Sequence, residues 1–240
     1  MNELPKYVIH QPFGGLGDNL QLSTIPELCY HANISCFISD KNVYRNPEIK
    51  ELVWDCNPYV NGYSPDVPNA GSCRHPGGYR GASSIVDAME DYHGFGFKNH
   101  LPIIYYYPKF KKEFSDKTII DFSAISAKDR YNDDSIKYIT DDIQNKQECI
   151  VIKSKKNSFN YYSLNQFEQY QFNDIFEYCD LIYSCKKFLC LDSGGQVLAS
   201  AISRFKANID VECWLPVGWN VNFNIGMYFF KPIKYKNIIM

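Results

Sequence analysis

Two glycine-rich turns, each holding a carboxylate, are the places where this sequence could do chemistry. The first, GGLGDN, runs from Gly14 to Asn19. The second, LDSGGQ, runs from Leu191 to Gln196. Each follows a short apolar run and precedes a segment with helical spacing, so each reads as strand, turn, helix. The backbone N–H groups of such a turn and the fresh helix N-terminus attract anions. A side-chain carboxylate placed there repels them. Asp18, inside the first turn, therefore needs another task.

The first turn fails one test for a dinucleotide cofactor. The pattern G-x-G-x-x-G requires a third glycine at position 20, where Leu20 stands. Asp40 ends the next apolar run at about the offset of a ribose-binding acid, which keeps a dinucleotide-dependent oxidoreductase open as an alternative. The second turn is the better phosphate cradle. Gly194 and Gly195 free the backbone, Ser193 adds a hydroxyl and Gln196 an amide. Asp192, just before the turn, can orient backbone or bind a ligand hydroxyl. Asp and Ser in front of a helix are also routine caps, and on the turn alone the two readings weigh equally. As a pair the turns favour a transferase. A donor diphosphate would rest on the second turn, and Asp18 would meet an acceptor hydroxyl as general base.

These residues also carry a resemblance. GGLGDNLQLSTIPEL resembles the N-terminal motif of the ADP-heptose:lipopolysaccharide heptosyltransferases, glycosyltransferase family nine. CLDSGGQVLASAI is similar to that family's second motif, an acid-Ser/Thr-Gly turn leading into a small-residue helix. The resemblance covers two short segments and the order of strands. It implies a GT-B-like α/β architecture, two Rossmann-like domains with parallel sheets facing a cleft. It further implies metal-independent, inverting transfer from a nucleotide-sugar, which is a substrate, with no cofactor. The family's acid falls on Asp18. Its donor turn falls on Asp192, Ser193, Gly194 and Gly195, with Gln196 where the family usually has a histidine. Gly15 and Gly17 join the donor-side set. The family's phosphate lysine, after the first strand of the second domain, has Lys153, Lys155 and Lys156 as candidates. Asn19, Tyr79 and Arg80 are the acceptor-side candidates, the last two in the loop from 61 to 82.

The elements that must position these groups form a β-α-β-α series, the pattern of a parallel sheet. Tyr7 to Phe13 reads as the first strand and Leu20 to His31 as a helix, with Asp18 or Asn19 as its cap. ISCFISD is a second strand, and NPEIKELVWDCNPYV a short helix ended at Asn57. A long Gly-, Pro- and Ser-rich stretch follows from 61 to 82, then the helix SSIVDAMEDYHGFG and the strand-like LPIIYYYP. DKTIIDFSAIS reads as a further strand. ECIVIKS starts a second series, with FNDIFEYCDLIYSC as a helix and KFLCLDSGG as a strand into the second turn. The boundary is placed near residue 145. Residues 1–145 form the acceptor-side domain, and residues 146–240 form a donor-side domain shorter than the family's.

Composition limits the alternatives. The 240 residues carry a net charge of −2, which gives no footprint for nucleic acid. The nine cysteines form no CxxC pair, and several lie in apolar stretches, as buried thiols do in a reducing compartment. No signal-like apolar region or membrane-length run is present. The expectation is a cytoplasmic protein, with or without peripheral contact to the inner face of a membrane. Its partners would be a nucleotide-sugar donor and a carbohydrate or lipid-linked acceptor; the charge does not favour a modified nucleic-acid base. A metal at Cys73, His75, His93 and His100 matches no zinc spacing, and none is expected. Nineteen tyrosines suit a sugar site or a tyrosine-rich core equally. A non-catalytic nucleotide- or carbohydrate-binding module is the remaining alternative.

Overall fold

The computed structural model describes residues 4–66, 82–123, 130–155, 161–206, 208–218 and 229–239. The chain forms two compact units that divide between Tyr107 and Pro108. Both are α/β with parallel sheets.

The first unit contains strands β1 (Lys6–Ile9), β2 (Ser35–Ser39) and β3 (Val60–Ser64), in that order across the sheet. The helical stretch expected from Leu20 to His31 is two helices, α1 (Leu16–Leu20) and α2 (Ile25–His31). The cap of α1 is Gly15, three residues earlier than expected, because Asp18 serves the helix from inside its first turn. Asn46 caps α3 (Pro47–Lys50) through a bond from the Glu48 N–H at 3.1 Å, with Pro47 in the first turn. A π-helical turn, Glu51–Asp55, continues it and buries Trp54 completely. β3, which sequence periodicity did not suggest, shifts register against β2. Gly62, at φ +135°, supplies the backbone form an extra residue needs there. Ser84 caps α4 (Ile85–Tyr92).

The second unit holds a six-stranded sheet. Its strands are β4 (Thr118–Asp121), β5 (Cys149–Ser154), β6 (Glu168–Phe172), β7 (Lys187–Leu191), β8 (Asp210–Leu215) and β9 (Ile233–Asn237). Their order is β6-β5-β4-β7-β8-β9. Counted from β4 this is 3-2-1-4-5-6, the doubly wound dinucleotide-type order. α5 (Asp133–Asp142), α6 (Ile175–Ser184) and α7 (Gly194–Ile202) connect or cover it.

The unit boundary therefore differs from the one near residue 145. β4 pairs with β5 and β7 and with nothing in the first sheet, so it opens the second unit. With β4 and α5 included, that unit holds more of the chain than residues 146–240. The LPIIYYYP run forms no strand; Ile103 and Ile104 are buried, and the Ile103 N–H bonds Ser23 Oγ at 2.8 Å. The core of the second unit gathers Ile120, Val151, Leu189, Leu191 and Trp214 from the central strands under Ile136 and Ile139 of α5.

Candidate functional site

In the first unit the turn after β1 is held by Gln11, which is fully buried. Its backbone N–H bonds Asn42 Oδ1 at 2.8 Å. Its side chain donates to the Asp18 carbonyl at 2.5 Å and accepts from the Phe13 N–H at 3.0 Å. The segment after β2 is strapped onto the same turn, with Val43 N–H on the Gln11 carbonyl and Arg45 N–H on the Gly14 carbonyl at 2.9 Å. A Cβ on Gly14 would stand 2.7 Å from the Arg45 backbone nitrogen, so glycine is required for this close approach.

The Asp18 carboxylate accepts the Gly15 N–H at 3.1 Å. It therefore occupies the donor that a phosphate at this turn would need. This weighs against the dinucleotide reading and against Gly15 as a donor ligand; Gly17 lies within α1, where its carbonyl accepts the Gln21 N–H. Burial raises the Asp18 carboxyl above the ordinary carboxylate range, opposed by the Gly15 bond and by the Arg45 charge. A carboxylate tuned upward suits a proton acceptor near neutral pH. Asn19 does not fit an acceptor-binding role. It is fully buried, donates to the Gly15 carbonyl at 2.9 Å and accepts the Trp54 indole N–H at 3.0 Å. Tyr79, Arg80, Cys73 and His75 lie outside the described residues.

His93 is buried, hydrogen-bonded to the Tyr7 hydroxyl at 2.5 Å, and desolvation pushes it down to about 4. His100 pairs with Glu90 at 2.8 Å. Among the described residues no group of three or more His, Cys, Asp or Glu could hold a metal ion.

In the second unit the sheet order reverses direction between β4 and β7. Ligands of doubly wound sheets bind outside the carboxyl ends of the strands at such a point. Asp121 ends β4, and Asp192 follows β7. Ser193 caps α7, its Oγ accepting the Gly195 N–H at 3.2 Å. The first turn of α7 is buried from Gly195 onward. Gln196 is fully buried, and its amide donates to Asp192 Oδ1, while Gln196 Oε1 has no partner among the described residues. Burial lifts the Asp192 carboxyl to about 6, restrained by the Arg130 charge and by Gln196. The Asp192 N–H rests on the Tyr131 hydroxyl at 3.2 Å, which itself donates to the Trp214 carbonyl at 2.9 Å. Asp192, Ser193, Gly194, Gly195 and Gln196 are thus brought together at one end of the sheet.

Lys153 and Lys155 lie at the end of β5, two strands from β7 with β4 between, and Lys155 Nζ bonds Asn173 Oδ1 at 2.5 Å. The first strand of the second unit is β4, and the segment that leaves it follows Asp121. Residues 124–129 of that segment, and Lys156, lie outside the described residues. Asp121, Ser123 and Tyr178 gather beside the head of α7, and sequence reasoning did not single them out. One signal was present: IID and CLD both end an apolar run on an aspartate.

A switch-point turn on a doubly wound sheet, in a chain that also has a second parallel α/β unit, defines a protein of two parallel α/β units. Comparison with solved structures sharpens the class. The chain resembles a family nine glycosyl transferase from Veillonella parvula, with TM-score 0.63 and 10% identity over 98% of this chain and 87% of that one. It resembles the iron-containing dodecameric glycosyltransferase TibC from enterotoxigenic E. coli at TM-score 0.58 and 13% identity, covering 98% of this chain and 63% of TibC. The E. coli heptosyltransferase WaaC, solved with ADP, matches at TM-score 0.54 and 9% identity over 97% and 93%. The fold is the GT-B-like α/β fold of these enzymes. No protein-family model and no curated sequence matches the chain. Among the described residues no helix is long and apolar enough to cross a membrane.

Proposed function

We propose that this chain is a glycosyltransferase that moves a sugar from a nucleotide-sugar to a hydroxyl of a carbohydrate or lipid-linked acceptor. The observation that carries the reading is the place of the second turn. It stands at the switch point of a 3-2-1-4-5-6 sheet, ahead of a nine-residue helix. The ADP bound by WaaC and the ADP-heptose bound by TibC support a nucleoside diphosphate as the donor's leaving group.

In the proposed reaction the acceptor oxygen attacks the anomeric carbon from the face opposite the leaving group, with inversion. The bond from that carbon to the diphosphate oxygen breaks. Asp18 takes the acceptor proton, and the diphosphate departs with its charge on the donors at the head of α7. No divalent ion has a step here, so activity is expected to survive a chelator. Complete and reversible loss of turnover in EDTA would contradict this mechanism.

The test of the reading is a thermal-shift screen of ADP-, UDP-, GDP- and CMP-linked sugars, because a ligand that binds only the folded state raises apparent stability. At least one donor should shift the transition, and Gly194→Val, which sets a side chain against the approaching phosphate, should remove that shift. A shift that survives in folded Gly194→Val would reduce the turn to a helix cap.

The charge beside Asp18 makes a further expected outcome. The acid limb of the rate profile should lie above the ordinary carboxylate range, since burial raises Asp18. Arg45 lowers it, so Arg45→Gln should move that limb to higher pH. A limb that stays put or moves down separates Asp18 from the titrating base.

A further inference from the structure

Asp121 is the fully buried hub of the switch point. One carboxyl oxygen accepts both the backbone N–H of Ser123, at 3.0 Å, and the Ser123 hydroxyl. The other accepts the hydroxyl of Tyr178 on α6. Burial raises both groups. The Tyr178 ring cannot shift freely. Phe172 of β6 stacks on it at 5.0 Å with the planes 7° apart, and Phe188 of β7 meets it edge-on at 6.3 Å.

The head of α7 closes against this pair. A Cβ built on Gly195 would stand 2.5 Å from the Tyr178 hydroxyl and 2.9 Å from Asp121 Oδ2. The backbone of the donor turn thus rests directly on the two polar atoms, at the distance only a glycine permits. Ser123 leaves β4 from the same carboxyl. Three segments separate in the sequence, the exit of β4, α6 and the head of α7, are joined at one acid and one phenol.

We propose that Asp121 and Tyr178 are positioning residues for the donor diphosphate, setting the stance of the α7 N-terminus and of Ser123 without touching the ligand. This inference rests on the reading that the second turn binds a nucleoside diphosphate. Preorganised N–H donors act only when they already point at the charge, so a small displacement of α7 weakens binding while leaving the fold intact. A merely structural pair would lower thermal stability and leave the affinity of the folded protein alone.

The test is calorimetric titration of the intact chain with ADP, UDP and GDP, made well below each variant's melting temperature. The variants are Tyr178→Phe, Asp121→Asn, Gly195→Ala and the double variant Gly195→Ala with Tyr178→Phe. Gly195→Ala should raise Kd by about ten-fold or more, the scale of one lost hydrogen bond to a charged group. Tyr178→Phe and Asp121→Asn, which keep size and shape, should each raise Kd by a smaller factor. The double variant should bind better than Gly195→Ala alone, because the hydroxyl that the new methyl meets is gone. Unchanged Kd in folded Tyr178→Phe and Asp121→Asn, or strictly additive effects in the double variant, would overturn the positioning role while the donor reading stands. Absence of binding by all three nucleotides to the wild-type chain would overturn both.

Discussion

Asp18→Asn should lower turnover by roughly 10²–10⁴-fold, the range for a lost general base. The fold should hardly notice. An asparagine at this position keeps an oxygen to accept the Gly15 N–H, which is the bond Asp18 makes at 3.1 Å. The sign of the small stability change follows from the carboxyl. Burial raises its pKa in the folded state, so its ionised form is disfavoured by folding at neutral pH, and that cost fades as the pH falls through the raised value. Replacing it with a neutral amide should leave the melting temperature unchanged or slightly higher at pH 7. Donor affinity should hold or improve. A structural acid predicts the reverse, with stability lost and turnover per folded molecule intact. Steady-state rates set beside melting curves distinguish the two.

The second large effect is on the fold beneath that turn. Trp54→Ala should destabilise the first unit by about 3–5 kcal/mol through the lost transfer energy and the cavity left behind. The indole is completely buried, and its N–H bonds Asn19 Oδ1 at 3.0 Å. Asn19 in turn holds the Gly15 carbonyl at 2.9 Å, so the loss reaches the turn that presents Asp18. Trp54→Phe separates the contributions. It keeps most of the apolar volume and removes the N–H, leaving a buried acceptor unpaired at about 1–3 kcal/mol. Urea unfolding followed by probes in the first unit measures both. A change below about 1 kcal/mol for Trp54→Ala would mean that this part of the unit relaxes around the vacancy.

What the sequence revealed and what it hid divide along local and non-local lines. The two turns were legible because their chemistry is local: glycines, an acid and a helix signal lie within a few residues of each other. The central strands were legible because β5 and β7 are apolar runs in which four successive residues are buried. β6 was not, since Glu168, Gln169 and Gln171 leave an edge strand with an exposed polar face that reads as loop. β9, the other edge, hides in the same way behind its lysines. The domain boundary was misplaced because β4, though it reads as a strand, carries no mark of which sheet it joins. Its membership is decided by β5 and β7, which lie about 30 and 70 residues further along the chain, and pairing at that separation leaves no trace in periodicity. The choice of lysines followed from the same placement, because β5 was taken for the first strand of the second unit. Asn19 shows the converse limit. Its type and its neighbour Asp18 suggested a ligand contact, and only the position of Trp54 shows that its amide faces inward.

The most direct test of glycosyl transfer is ³¹P NMR of the intact chain incubated with the nucleotide-sugar that stabilises it most, first alone and then with candidate glycan acceptors. Cleavage at the anomeric carbon leaves the diphosphate whole, so the spectrum should gain the two resonances of a free nucleoside diphosphate. Their appearance should be slow without acceptor, faster with a true one, and suppressed in Asp18→Asn. A donor that binds and stays unchanged with every acceptor, or one that breaks within its diphosphate to give a nucleoside monophosphate and a sugar phosphate, would contradict the assignment.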